Sequence, residues 1–421
     1  MKLPRICSVI LAVIGLQCVA GGTSFAGDWS QWLGPSRNGV SAEVIAPWTE
    51  QPPVIWRHKA GNGYCSPVIA DGIVYIHAAV AGKEEENILA IDLITGARVW
   101  SESYPRTAYR SELGVGPRAT PAVVNGRIFT FGITGELSSH DAKTGERYWQ
   151  VNPYTELNAS LPGFGVCSSP LVVEGSVIVP VGGTGNGILA YSAETGKLLW
   201  SGLDEPAAVA SPIVRIRETE EGERIEVIVQ TTLRLVGLHP KTGEIYWEHP
   251  LVFQPSGVSP TPLALGDLLV CSTQDTGTLT VKLPGKEAAS PEQKWWNQEW
   301  SSYFSTGTIG ADGRAYLVTN AVMPLPRADI RCLNAETGEE QWLKKGVGYF
   351  HVGLISAGDG KLLLLDDGGT LILAEPTETE LKELSRAKVC GGTFMNPTLS
   401  EGRVVVRDNK EVICYDLNQV K

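Results

Sequence analysis

The chain has 421 residues, with 46 Asp+Glu against 35 Lys+Arg and a formal charge of −11, a balance that argues against nucleic acid or another anionic polymer as the main partner. Only 19% of residues are charged, while Gly (47) and Pro (26) are abundant. That mixture fits many short strands joined by tight turns and excludes a predominantly helical protein.

The N-terminus has the features of an export leader. Lys2 and Arg5 precede an apolar run from Ile6 to Val19, followed by small residues ending at Ala26. Cleavage after Ala26 is expected, leaving a mature chain of charge −13 once Lys2 and Arg5 are removed. Gln17 stands before Cys18 where a lipid-anchored protein needs a small residue. No later segment approaches the roughly 20 apolar residues of a membrane-spanning helix. Residues 27–53 then form an N-terminal arm containing Trp29 and Trp48.

From residue 54 onward the sequence repeats. Thr-Gly pairs place Gly96, Gly145, Gly196, Gly243 and Gly338 at steps of 49, 51, 47 and 95 residues, the last being two units of about 47. In each case a Trp follows four residues later, at Trp100, Trp149, Trp200, Trp247 and Trp342. A unit with an altered turn, Val281 to Gly285 followed by Lys294-Trp-Trp296, fills the double step. Polar-Gly hairpin signals at Asp71-Gly72, Asn125-Gly126, Glu174-Gly175, Gly266-Asp267, Asp312-Gly313, Asp359-Gly360 and Glu401-Gly402, with a longer charged hairpin from Glu218 to Glu226, count eight units. Ser66-Pro67, Thr120-Pro121, Ser169-Pro170 and Ser211-Pro212 open four of them. Unit seven, between Glu375 and Leu384, has lost the Thr-Gly…Trp pattern.

Four short antiparallel strands every 47 residues or so predict an all-β, eight-bladed β-propeller over residues 54–421. The last unit has only three strands, and Val54-Ile-Trp56-Arg-His-Lys supplies the missing fourth, so an N-terminal strand closes the ring. The repeated Gly accepts positive φ and the Trp covers a seam between neighbouring blades. Copies spread around a ring cannot share one pocket, so the motif is structural, with Trp56 at the final seam.

Repeats of this form resemble those of the pyrroloquinoline-quinone (PQQ) family, whose eight-bladed propellers dock through such tryptophans. The same repeats occur in the BamB-like outer-membrane assembly branch, which performs no quinone chemistry. The segment from Asp28 to Gly39, DWSQWLGPSRNG, is similar to the opening of exported PQQ-like repeat proteins. For a quinone enzyme the resemblance implies a Trp platform, adjacent cysteines, Ca²⁺ on Glu and Asn, and a catalytic Asp.

Topology locates where chemistry would occur. Loops between blades and between second and third strands share one face, and these are the varied loops. That face is expected to collect Tyr64, Arg118, Trp300, Tyr303, His351 and Asn396 as a binding surface, with Phe164, Phe304, Phe350 and Phe394 among them. The six mature cysteines (65, 167, 271, 332, 390 and 414) include no adjacent pair and no CxxC, so a zinc site is not expected. Cys332 and Cys414 occupy a third-strand slot held by Ala90 and Ser139 in other units and read as packing thiols, while pairing among Cys65, Cys167 and Cys390 stays open. Asp275, Asp366 and Asp367 are candidate ligands for a hard cation or simple solvated loop carboxylates.

Two readings follow. One is an exported, monomeric scaffold that binds another protein or a ligand at the channel mouth, in the manner of envelope assembly, with neither cofactor nor metal. The other is a PQQ- and Ca²⁺-dependent dehydrogenase of alcohols or sugars with a reduced active site.

Overall fold

A computed structural model describes residues 27–206, 208–219, 222–251, 260–285, 290–310, 312–321 and 325–419. The expected leader, residues 1–26, and the tip of the long charged hairpin at 220–221 lie outside the described residues. The described residues form eight four-stranded antiparallel sheets, numbered here as blades 1 to 8 in chain order. Seven blades are built from consecutive strands. In blade 8 the N-terminal strand Val54–Lys59 pairs with Glu411–Asp416, so the ring closes as expected.

The hairpins obey turn chemistry. Asp71, Asn125, Glu174 and Glu401 all have φ near +50° and each is followed by a Gly of positive φ, as required where two residues reverse a twisted pair of strands. In the Thr-Gly turns the preceding Asp is part of the device. Asp92 Oδ1 accepts the Ile94 and Thr95 amides, Asp141 Oδ1 accepts those of Lys143 and Thr144, and Asn334 repeats the arrangement. His239 serves the same turn through Nδ1, which accepts the Lys241 amide.

The turn Gly is also a docking surface. Four seam indoles lie against the turn Gly of the next blade: a Cβ on Gly145 would stand 2.6 Å from Trp100, one on Gly196 2.7 Å from Trp149, and Gly96 and Gly243 relate likewise to Trp56 and Trp200. The indole N–H then donates to a carbonyl of that blade, Trp56 to Leu93, Trp100 to Ala142, Trp149 to Ala193, Trp200 to Pro240 and Trp342 to Thr377. Across its own sheet, each Trp faces a small residue beside a β-bulge. Ala90, Ser139 and Ala190 hold that slot in blades 1 to 3, and Cys332 and Cys414 hold it in blades 6 and 8.

The two seams of blade 5 are built differently, and the one with blade 4 departs from the expected docking of Trp247. In blade 5 the seam residue is Trp295, which lies on Gly338 and donates to Ala335 O, while Trp296 is exposed. Blade 5 offers no Thr-Gly turn, so Trp247 folds back onto Gly237 of its own blade and donates to the fully buried Glu226 carboxylate. Glu226 also pairs with Arg215 and Arg217, which reach the Pro284 and Gly285 carbonyls of blade 5. An ionic cluster thus stands where other seams have a turn Gly, while the Trp247 indole stays buried in the core shared by blades 4 and 5.

Blade 7, which has lost the motif, inverts the size pairing: Leu373 faces Ser385 where other blades set a small residue against Trp. The arm supplies the missing bulk. Trp48 is buried in the cluster shared by blades 7 and 8, and its amide donates to Ser385 Oγ. Upstream, the arm crosses the ring axis. Trp29 pairs with Ile69, Ser30 O accepts the Val123 amide, Trp32 Nε1 donates to Thr261, Arg37 donates to the Ser169 and Pro170 carbonyls, and Val40 pairs with Ser356. These partners belong to the innermost strands, or the residues leading into them, of blades 1, 2, 5, 3 and 7. The arm therefore fills the channel.

Candidate binding face

The Ser/Thr-Pro pairs that open the units build a girdle under the loop face. The Ser66 amide donates to Thr120 Oγ1, Thr120 to Ser169, Ser169 to Ser211, Ser211 to Thr261 and Thr261 to Thr306, at 2.9–3.3 Å. The Asn396 amide returns to Ser66 Oγ at 3.0 Å. Blade 7 has His351 at this level, and its Nδ1 meets Ser305 Oγ at 2.8 Å. Each hydroxyl accepts the amide N–H of the preceding blade, and the Pro that follows at 67, 121, 170, 212 and 262 removes a donor that the crowded axis could not satisfy, whereas Gly307 follows Thr306.

His351 and Asn396, read from the sequence as binding residues, are therefore girdle members, 2% and 3% exposed. Phe304 stacks over the His351 ring at 5.8 Å. Burial pushes the His351 imidazole down to about 4 and, with Arg147 and His77 nearby, that of His140 to about 4. Both rings stay neutral in the folded chain but take up a proton near 6.5 once unfolded. The unfolded state then binds more protons between about pH 6.5 and 4, so stability falls as pH drops through that window and is level above it. Urea unfolding at pH 7.5 and pH 4.5 is expected to show a loss on the order of 2 kcal/mol per histidine, and His351→Gln should shrink that loss.

Tyr64, Arg118 and Tyr303 do come together at the surface. Above the girdle the inter-blade loops carry an aromatic arc: Tyr303 against Phe304 at 6.4 Å, Phe304 against Phe394 at 5.7 Å, and Phe394 against Tyr64 at 6.4 Å. The Arg118 guanidinium covers the Tyr64 ring at 5.2 Å and donates to Phe164 O. The arc spans loops leading into blades 6, 8, 1, 2 and 3, and Phe304, Phe394 and Phe164 are 38%, 41% and 45% exposed. Tyr349 and Phe350 extend it over blade 7. Exposed aromatics so concentrated on one face are unusual for a solvated surface.

Trp300 sits elsewhere. It packs edge-on against Trp295 at 6.0 Å under Arg331, and its carbonyl accepts the Thr278 hydroxyl, which ties it to the seam between blades 5 and 6. Of the loop carboxylates, Asp367 accepts the Tyr349, Phe350 and His351 amides, and Asp366 accepts that of Thr370. Burial pushes the Asp408 carboxyl up, but the Glu411, Lys410 and Gly391 amides hold it below the usual value. Asp275 is exposed on blade 5. Among the described residues no group of three His, Cys, Asp or Glu side chains is arranged to hold a metal ion. The six cysteines are free thiols, all pushed up by burial.

One buried network had no sequence signal. His77 Nε2 lies 2.7 Å from Tyr104 Oη and 3.1 Å from Glu86 Oε2, and the Ile133 amide of blade 2 donates to the other Glu86 oxygen. Burial pushes Glu86 up, yet its partners hold it below the ordinary carboxylate value. Arg407, fully buried in blade 8, donates to the Cys65, His77 and Gly61 carbonyls of blade 1. These groups lock the loop-face ends of blades 8, 1 and 2.

A family model described as outer membrane protein assembly factor BamB matches residues 84–344. The 1-butanol dehydrogenase (cytochrome c) of Thauera butanivorans is 26% identical over 191 residues, which is 43% of this chain and 26% of that protein. Outer membrane protein assembly factor BamB of Burkholderia pseudomallei is 28% identical over 229 residues, 51% of each chain. The solved structure of quinohemoprotein alcohol dehydrogenase ADHIIG from Pseudomonas putida HK5 superposes with a TM-score of 0.66 at 14% identity, covering 94% of this chain and 81% of that one. At such identity the likeness is one of fold. The chain matches only a quarter to a half of the length of these two curated relatives.

Proposed function

Since this chain belongs to the family of PQQ-like repeat β-propellers described as outer membrane protein assembly factor BamB, we propose that it is an exported scaffold that binds another protein through its loop face, as a monomer, in the assembly of the cell envelope. The observation that carries this reading is the exposed arc of Phe304, Phe394, Tyr64 and Arg118. Aromatic and Arg side chains are the usual anchors of protein interfaces, and here a rigid ring holds them in fixed positions. Export by the leader over residues 1–26 is part of the same proposal. A photo-crosslinking residue placed at position 304 or 394 in the native host should trap one discrete protein partner, and the same residue at position 148, on the outer strand of blade 2, should not. Equal labelling at all three positions would remove the basis for the reading.

The dehydrogenase relatives motivate a second reading, oxidation of an alcohol or sugar with PQQ and Ca²⁺ at the channel mouth. The residues present fit that group poorly. Trp300 is held in a seam rather than at the axis, the Asp367 oxygens already accept backbone amides, and the arm brings Arg37 and Trp32 up to the girdle. Titration with PQQ and Ca²⁺ is expected to leave the indole fluorescence unchanged. Saturable quenching together with alcohol-dependent dye reduction would favour the second reading.

A further inference from the structure

We propose that the partner segment received by the aromatic arc is acidic: an extended stretch of another protein that sets apolar side chains among carboxylates. This rests on the reading of the arc as a protein-binding surface. Exposed cations stand on the same face, one of them, Lys388, resting its Nζ on the Gly368 carbonyl. Lys59, Lys388 and Lys410 are exposed at the loop-face ends of blades 7 and 8, and Arg118 closes the arc at blade 2 with no ion-pair partner among the described residues. The carboxylates of this face are of two kinds, with Glu112 and Glu299 exposed on the loops before blades 2 and 6 and those of blades 7 and 8 engaged. Asp367 and Asp408 are taken up by backbone amides, and Glu411 pairs with Arg57. A chain with a net charge of −11 thus carries four cations without an ion-pair partner among the described residues at the loop-face ends of blades 7, 8 and 2, the blades that border Phe394 and Tyr64. Net charge repels a long polyanion, but beyond a Debye length of roughly 8 Å that repulsion is screened, so a short acidic segment meets the local charge.

The rings favour a polypeptide over a sugar polymer or a bilayer. Phe304 and Phe394 meet edge to face at 87°, and one face of Phe304 is covered by His351 at 20°. The arc therefore presents ridges and notches that fit apolar side chains, rather than open ring faces for pyranose stacking.

Random twelve-residue peptides displayed on phage and selected against the full chain, with counter-selection on the Phe304→Ser/Phe394→Ser variant, test both levels. Face-dependent peptides rich in Asp, Glu and apolar residues are expected. A selected peptide, followed by fluorescence anisotropy, should bind at least tenfold more weakly to the Lys59→Glu/Lys388→Glu/Lys410→Glu variant and more weakly as salt rises. Face-dependent peptides that are neutral or basic, or affinity unmoved by charge reversal, would overturn the acidic assignment and leave the protein-binding arc standing. Selection of no face-dependent peptide would overturn both. Tighter arc-dependent binding of phosphatidylglycerol vesicles or alginate than of any peptide would replace the polypeptide with a lipid or a glycan.

Discussion

Replacing Trp149 by Ala is expected to cost about 3–5 kcal/mol of folding stability. The indole is 9% exposed, lies against Gly196, packs near Phe129 at 6.1 Å and donates to Ala193 O at 3.1 Å. Truncation opens a cavity between two sheets that are each stiff enough to resist collapse, and it leaves the half-buried Ala193 carbonyl without its donor. Trp296 is the control. It is 39% exposed, so Trp296→Ala should stay within about 1 kcal/mol. Gly196→Ala approaches the same contact from the other side, since its φ of +70° strains an L side chain and its Cβ would stand 2.7 Å from the Trp149 ring. Urea unfolding of the three variants decides the matter, and equal losses for Trp149→Ala and Trp296→Ala would mean that the seam does not depend on docking.

The largest effect is expected from the arm. Removing residues 27–48 behind the leader should abolish cooperative unfolding and leave a protease-sensitive chain. Trp29, Ile45 and Trp48 are buried in the cluster that spans blades 7, 8 and 1, so their loss exposes the core where the ring closes. Glu43 also accepts the Glu401 and Gly402 amides at the blade 8 hairpin. Trp48→Ala is the milder version and should cost about 3–5 kcal/mol, with Trp48→Phe recovering part of it. A Trp48→Ala protein as stable as the parent would show that blade 7 manages without a borrowed indole.

The regular part of this architecture was legible because its causes are local. Turn chemistry, strand alternation and a fixed period each act within one unit of about 47 residues, so the eight blades and the closing strand could be counted from Gly145, Trp149 and their copies. What was not legible is non-local. Trp48 compensates Ser385 across 337 residues of sequence, and nothing near either position announces it. Trp247 keeps its place in the repeat and in the core between blades 4 and 5, but the next blade changed its turn, so its N–H goes to Glu226 and not to a turn carbonyl. The candidate site was half legible for a similar reason. Loop position could be read, which found Tyr64, Arg118 and Tyr303. Depth could not: the sequence puts His351 and Asn396 on the face although they are buried, and Trp300 at the mouth although it packs in a seam. The Ser/Thr-Pro pairs were visible as punctuation, but a girdle exists only once the ring has closed.

The strand Val54–Lys59 has no partner until Glu411–Asp416 has been made, and Arg57 meets Glu411 across 354 residues. A repeat array can ordinarily fold as it emerges, each unit on the last. In this chain the first strand synthesised completes the last sheet, so the ring can be finished only after nearly the whole polypeptide is released. The meeting of the two ends, a loop closure over nearly the whole chain, is then the step expected to be slow in folding. Until that meeting, the inner strands of the finished blades surround an open slot into which the arm must thread.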